Sequence, residues 1–429
     1  LFYSRRVGRA PHGGPPQGAE FTDAPEATTI LGAAKLTGRT DQGLSIGALV
    51  ALTQEEEGEA YFPDTGEFRK YGVEPRSTYG VFRLQQDFSE GQSRVGGLMT
   101  ATTRNLPADG TFDGLPSNAY SAGLDFEHTW GNREWGIWGF FTGSHVTGDS
   151  TAMIRIQRAS NHYWQRPDQD WATLDSTATS LTGADWHLQF ERRAGHWTGA
   201  VWAGEITSAV EVNDLGFNTD AERLASGLRV AWQEVRPTRY FRNSKVELTA
   251  STDFSHEMLR DSWSLDGLQY GQTGGSARLS TNVEFLNFWT AQASLSYGAD
   301  LMSRSATRGG PRMVDPGSWG GTLGFGTDNR KVLFVQPRFS ITRGRQGSGN
   351  RLGVNMSMTL QPSTRLLMTF TPRYDRSSSG AQYVSTTDAL PFDPTYGARY
   401  LFGELHRTDL SMVARVNWTF TPRLSLEFY

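Results

Sequence analysis

"VARVNWTFTPRLSLEF", Val413 to Phe428, alternates two residues at a time. With the residues just before it, Leu410, Met412, Ala414, Val416, Trp418 and Phe420 fall on one side, and Ser411, Arg415, Asn417 and Thr419 on the other. Thr421-Pro422-Arg423 follows, and then Leu424, Leu426 and Phe428 alternate with Ser425 and Glu427. A period of two on both sides of a very short turn is the signature of a β-hairpin with one apolar and one polar face. What the apolar face touches, a protein core or lipid, decides the fold.

The pattern recurs along the chain. Ile30-Gly32-Ala34-Leu36 passes through "GRTDQG" into Leu44-Ile46-Ala48-Val50-Leu52, and Leu124-Phe126-Trp130 through "GNRE" into Trp135-Ile137-Gly139-Phe141. Val283-Phe285 turns at "LNFW", Leu323-Phe325 at "TDNR" and Val354 to Leu360 at "QPST". About nine such hairpins give roughly 18 strands of about 10 residues, the length that spans a bilayer when tilted. Short turns alternate with longer polar connections at Gln54–Ser77, Asn105–Ser117, Thr147–Asp175, Val210–Ala221, His256–Gly274, Ser303–Gly317 and Ser377–Glu404. That asymmetry is the one expected of a membrane barrel with periplasmic turns and outer loops.

Composition agrees. The chain has 429 residues, 13 Trp, 14 Tyr, 24 Phe and no Cys, and its mean hydropathy is −0.48. No stretch approaches the ~18 consecutive apolar residues of a membrane-spanning helix, whereas a barrel keeps a low mean because lipid-facing and water-facing residues alternate. Without cysteine there is neither a disulfide framework nor a thiolate metal site. A net charge of −4 gives no basic footprint, so no nucleic-acid partner is expected. Arg83, Asp125, Glu127, Glu284, Asn355, Arg365 and Arg415 all read onto the polar phase, while Trp130, Trp135, Trp289, Tyr297, Trp418 and Phe420 lie near turns, where interfacial aromatics belong. Pro337 in "VLFVQPRFSI" removes a ladder hydrogen bond and predicts a bulge. The expected fold class is an all-β, transmembrane, antiparallel up-and-down β-barrel, one domain over residues 1–429, with outer-membrane lipid as its partner.

Several stretches, "LFYSRRVGR" (Leu1–Arg9), "TTILGAAKLTGRT" (Thr28–Thr40), "GLSIGALVALT" (Gly43–Thr53), "LDFEHTWGNREW" (Leu124–Trp135), "SNHYWQRPDQDW" (Ser160–Trp171) and "EVNDLGF" (Glu211–Phe217), resemble a bacterial family of outer-membrane barrels. Its barrel region is a domain of unknown function that usually follows a periplasmic carbohydrate-binding family 9-like module, and some relatives are labelled membrane-associated hydrolases. The resemblance implies a barrel in the bacterial outer membrane and supplies no catalytic residues. The carbohydrate-binding module is absent from this sequence, so its sugar binding does not carry over. Relatives continue past the segment resembling "SLEFY".

The candidate chemistry is sparse. "GLSIG", Gly43 to Gly47, matches the nucleophile-elbow pattern, but Ser45 falls at the start of a strand with no helix after it, and that elbow needs a strand-to-helix turn. The acidic run "QEEEGE", Gln54 to Glu59, lacks the spacing of a calcium loop and reads as a solvated loop. "HEMLR", His256 to Arg260, lacks the second histidine of a zinc protease. No catalytic residue, metal ligand or cofactor is expected. The segment Met153 to Trp171 mixes charges with aromatic faces, a combination suited to a glycan or peptide ligand, and Arg158, Tyr163, Trp164, Arg166 and Asp168 are its candidate binding residues. Asn213 and Asp214 in "EVNDLGF" join them, although a turn is the blander role for that motif.

The expected function is a pore, transport channel or surface binding platform. A barrel-embedded hydrolase and a scaffold with a blocked lumen are the alternatives. Strand parity adds one expectation. Leu1 to Val7 would end a strand that leads outward, Gly8 to Glu26 would form an outer loop, and the strand from Leu424 would call for a further returning strand beyond Tyr429.

Overall fold

The alternating stretches fold as strands in the computed structural model, which describes residues 6–256 and 271–429. In chain order they are β1 (Phe21–Asp23), β2 (Ile30–Arg39), β3 (Leu44–Thr53), β4 (Glu56–Phe62), β5 (Glu67–Glu74), β6 (Ser77–Phe88), β7 (Ser93–Arg104), β8 (Asn118–Trp130), β9 (Trp135–Thr147), β10 (Ser180–Arg192), β11 (Trp197–Ile206) and β12 (Arg223–Glu234). There follow β13 (Phe241–Phe254), β14 (Gln272–Phe285), β15 (Thr290–Gly298), β16 (Leu301–Ser303), β17 (Met313–Asp315), β18 (Ser318–Gly326), β19 (Leu333–Gly344), β20 (Asn350–Ser363), β21 (Leu366–Thr387), β22 (Arg399–Thr421) and β23 (Leu424–Phe428). Among the described residues, 18 of these strands form the large antiparallel up-and-down sheet, matching the expected fold class and strand number. No helix among the described residues is long and apolar enough to cross a membrane, which says nothing of strands.

The residues divide into two compact units, Leu1–Phe190 with Ala203–Leu224, and Glu191–Trp202 with Ala225–Tyr429. In the first, β2, β3, β6, β7, β8 and β9 pair in sequence. Their tight connections match the expected turns, and Gly43, Asn132 and Arg133 take the positive φ that such turns require. In the second, β13, β14, β15, β18, β19, β20, β21, β22 and β23 pair in sequence.

The two faces of each unit differ sharply. The apolar phase is bare: Leu124 is 69 % exposed, Leu323 54 % and Leu410 81 %, each mid-strand and uncovered by protein. Contiguous apolar surface on that scale marks contact with something apolar. The opposite phase holds the charges. Arg83 pairs with Asp125, Arg94 with Glu127, and Arg242 with Glu284. Arg83 reaches Asp125 across β7 over Gly96, where a Cβ would stand 2.6 Å from the guanidinium. Aromatic residues cluster near strand ends, as expected: Tyr297 meets Trp319 at 4.6 Å between ring centroids, and Trp418 meets Phe420 at 4.5 Å.

Several local expectations need correction. Pro337 makes no bulge: its register with Met356 is continuous, and on the β18 side the ladder skips the pairs at Pro337 and Gln336 and resumes at Thr327–Val335 without a shift. A missing N–H therefore costs one rung and not the register. The acidic run Gln54 to Glu59 is not a loop, because β4 takes it up from Glu56, pairs with β5 inside the Gln54–Ser77 connection and is joined there by β1 in a three-stranded sheet. Likewise β21 and β22 extend far into Ser377–Glu404 and leave only 388–398 as connection. Arg365 sits in a turn and not on a strand. Of the proposed first strand, residues 1–5 lie outside the described residues, and Arg6 and Val7 are not in a strand. Most of "HEMLR" also lies outside the described residues.

Candidate functional site

In the first unit the polar face is covered by the chain's own connecting segments. Asp149 caps a helix, α1 (Ser150–Arg158), by accepting from the Ala152 amide at 2.6 Å. Ala152 and Met153 on α1 are fully buried against Ala119 of β8, Val146 of β9 and Leu181 of β10, with Ile156 and Trp164 packed alongside. These three wall residues belong to the polar phase of their strands, so α1 lies on the face opposite the bare apolar one. The sequence carried the signal for α1, an Asp followed by apolar residues at helical spacing, yet the segment reads as loop when only strands are sought.

Further on, "EVNDLGF" docks on the same face. Leu215 is buried among Ala51 and Leu49 of β3, Tyr79 and Val81 of β6, and Leu98 of β7. Burying a leucine side chain stabilises by about 1.5–3 kcal/mol. Beside it Asp214 pairs with Arg104, a β7 residue whose side chain is 2 % exposed and whose Nη1 also donates to the Pro116 carbonyl at 3.0 Å. Asn213 holds a turn: its side chain accepts from the Asn218 amide at 2.8 Å and donates to the Asn218 carbonyl at 3.0 Å.

The two segments are stitched to each other. His162 lies 3.2 Å from Glu211 through Nε2, with Nδ1 2.8 Å from the Ser208 carbonyl. Asn161 donates to Glu211 at 3.3 Å, the Asn213 amide does so at 2.6 Å, and the Glu211 amide donates to Ser144 of β9 at 3.1 Å. Burial pushes the Glu211 carboxyl upward, but the bonds from His162, Asn213 and Asn161 outweigh it and hold the group below the usual carboxylate range.

The residues singled out from sequence thus separate. Arg166 and Asp168 are buried and bound to each other in bidentate fashion at 3.2 Å, with Arg166 6.0 Å from the Trp171 ring. Asp214 and Asn213 are committed to internal contacts. Arg158 is exposed at the last turn of α1, and Tyr163 is half-buried at a positive φ of 52°. Around Trp164 a different feature stands out. The indole nitrogens of Trp164 and Trp171 and the amide oxygens of Gln165 and Gln169 are buried without a hydrogen-bond partner. Buried polar groups are rarely left so, and two donors with two acceptors in eight residues suit ordered water or a hydroxyl-bearing ligand. Arg104 and Ser144 were not foreseen, and His162, Glu211 and Leu215 were marked only as members of their segments, because each acts through a partner distant in sequence.

Ser45 stands in β3 in register with Arg39 and Gln85, in extended backbone and not at an elbow. Among the described residues no group of three His, Cys, Asp or Glu is placed to hold a metal ion.

The chain is similar to several solved structures. An anion-selective porin from Comamonas acidovorans is 10 % identical with a TM-score of 0.34, over 90 % of this chain and 100 % of its own. The ferric yersiniabactin uptake receptor FyuA from Yersinia pestis is 10 % identical with a TM-score of 0.38, over 95 % and 72 % respectively. The copper transporter OprC is 9 % identical with a TM-score of 0.38, over 99 % and 74 %. No curated protein matches the sequence. A family model covers residues 1–429 without interruption, and the chain belongs to that family, the domain of unknown function DUF5916.

Proposed function

We propose that this chain is an outer-membrane β-barrel acting as a pore or transport channel, its bore narrowed by infolded segments. One observation carries the reading: in both units the bare face is apolar and the opposite face bears the ion pairs. A charge against hydrocarbon costs about 2–4 kcal/mol at mid-depth, so lipid belongs on the first face and water on the second. The short turns then lie in the periplasm and the long connections outside, as expected of such barrels. A glycan or peptide contacting Tyr163, Trp164 and Arg158 is the ligand class that the aromatic and unpartnered polar groups there support.

The infolded segments favour a second reading, a scaffold whose lumen is blocked. Single-channel recording in a planar bilayer separates the two. Stepwise conductance is the expected result. Full-length protein that inserts yet stays silent at every voltage would overturn the pore and leave the scaffold.

A further inference from the structure

A recess of about 380 Å³ opens on the polar face of the second unit, between β19, β20 and β21. Its volume lies within the range of ligand pockets, about 300–1,000 Å³. Three guanidiniums line it, those of Arg338, Arg351 and Arg373, against a single carboxylate, Asp375. Arg351 clamps Asp375 with bonds of 3.1 and 2.7 Å, and Arg373 approaches the same carboxylate at 3.6 Å. Asp375 is only 8 % exposed, so this one negative charge is already spent on its neighbours. Arg338 contacts a neutral group: its Nη2 donates to the Gln292 side chain at 3.1 Å. Across from Asp375 in register stands Asp409, held by Arg407 at 2.7 Å.

Two glycines shape the place. Gln292, Gly324 and Arg338 are register partners, and a Cβ on Gly324 would sit 2.6 Å from the Gln292 amide nitrogen. The glycine thus lets Gln292 cross β18 and fix the Arg338 head. Gly353 leaves the floor open between Arg351 and Asn355, where a Cβ would meet Ser340 at 2.6 Å. Arg338, Asn355 and Arg373 form one cross-strand row, with Asn355 between the two cations.

We propose that this recess is a binding site for a small oxyanion, a carboxylate or a phosphate, taken up by Arg338, Arg373 and Asn355. Guanidiniums present forked donors that match either group, and an excess of cation over carboxylate leaves that capacity unused by the protein. The site deepens the pore reading and rests on it in taking this face as water-lined.

Equilibrium dialysis of the full chain in detergent micelles tests it, with inorganic phosphate in one arm, glucuronate in another and glucose as neutral control. It needs no conductance, so a silent bilayer and a failed dialysis are separate results. At least one oxyanion binds and glucose does not, and whichever arm binds names the class. The Arg338→Gln, Arg373→Gln double variant weakens binding at least tenfold. Lys245→Gln, on the same face but outside the recess, leaves it unchanged. Asp375→Asn frees Arg351 and tightens binding several-fold, a sign that general damage to the fold would not produce. The proposal fails if neither oxyanion binds, if glucose binds equally, if the double variant matches the parent, or if Lys245→Gln weakens binding as much.

Discussion

Replacing Leu323 with arginine tests the assignment of the bare face to lipid. Leu323 lies on β18 in register with Ala293 and Phe339 and is 54 % exposed. Trp289 and Tyr297 bracket its row on the neighbouring strand, eight residues apart. That is about 27 Å along a strand and about 20 Å in height at a tilt of ~40°, close to the ~25 Å apolar band of outer-membrane barrels. Leu323 therefore falls near mid-depth, where an arginine costs about 2–4 kcal/mol. At about 1.4 kcal/mol per factor of ten, the folding equilibrium shifts by about 30- to 700-fold. The control is Ser280→Arg. Ser280 shares a row with Glu247, Ser294 and, through β15, Thr322, and it points to the opposite face. An arginine there meets Glu247 in a wet environment and changes stability by no more than about 1 kcal/mol. Urea titration in phospholipid vesicles, read by the loss of heat-resistant gel mobility, measures both. If the face met water, Leu323→Arg would be an ordinary surface substitution, within about 0.5 kcal/mol of the parent. Equal midpoints for the two variants would refute the lipid assignment.

Two other outcomes follow from the ion pairs. Arg104→Ala leaves Asp214 without its partner in a buried setting, a loss of about 3–5 kcal/mol, so the 207–222 segment should undock and become cleavable in limited proteolysis while the strands stay resistant. At the turn after β18, Arg330 holds Asp328 through bonds of 2.8 and 2.7 Å and lowers its pKa to about 2. A depressed carboxyl contributes stability that is present above its unfolded pKa, near 3.9, and is lost as pH falls through the folded one; Asp328→Asn should be less stable than the parent at neutral pH, and the difference should close between about pH 4 and pH 2 in acid-unfolding curves.

The part of the fold legible from residues alone is the part a strand decides locally. Alternation sets which side each residue takes, because successive Cβ atoms point to opposite faces. It therefore specified most of the strands, the apolar phase of Leu124, Leu323 and Leu410, and the polar phase of Arg83 and Asn355. Turn chemistry is equally local, and the connections at Gly43 and Asn132 fell where their residues said. The candidate site was legible only in part. Trp164 and Arg166 were both marked as candidate binding residues, because composition could not tell a side chain reaching for a ligand from one already satisfied. Tertiary structure made that choice. Arg104 and Asp214 are 110 residues apart and His162 and Glu211 are 49 apart, and no periodicity links such positions. The infolding of α1 and "EVNDLGF" depends on a wall that several strands must first assemble. The recess at Arg338 depends on register, since Gly324 clears the way for Gln292 only when three strands are in line. Pairing across strands is a property of their alignment, and alignment is settled by the whole sheet at once.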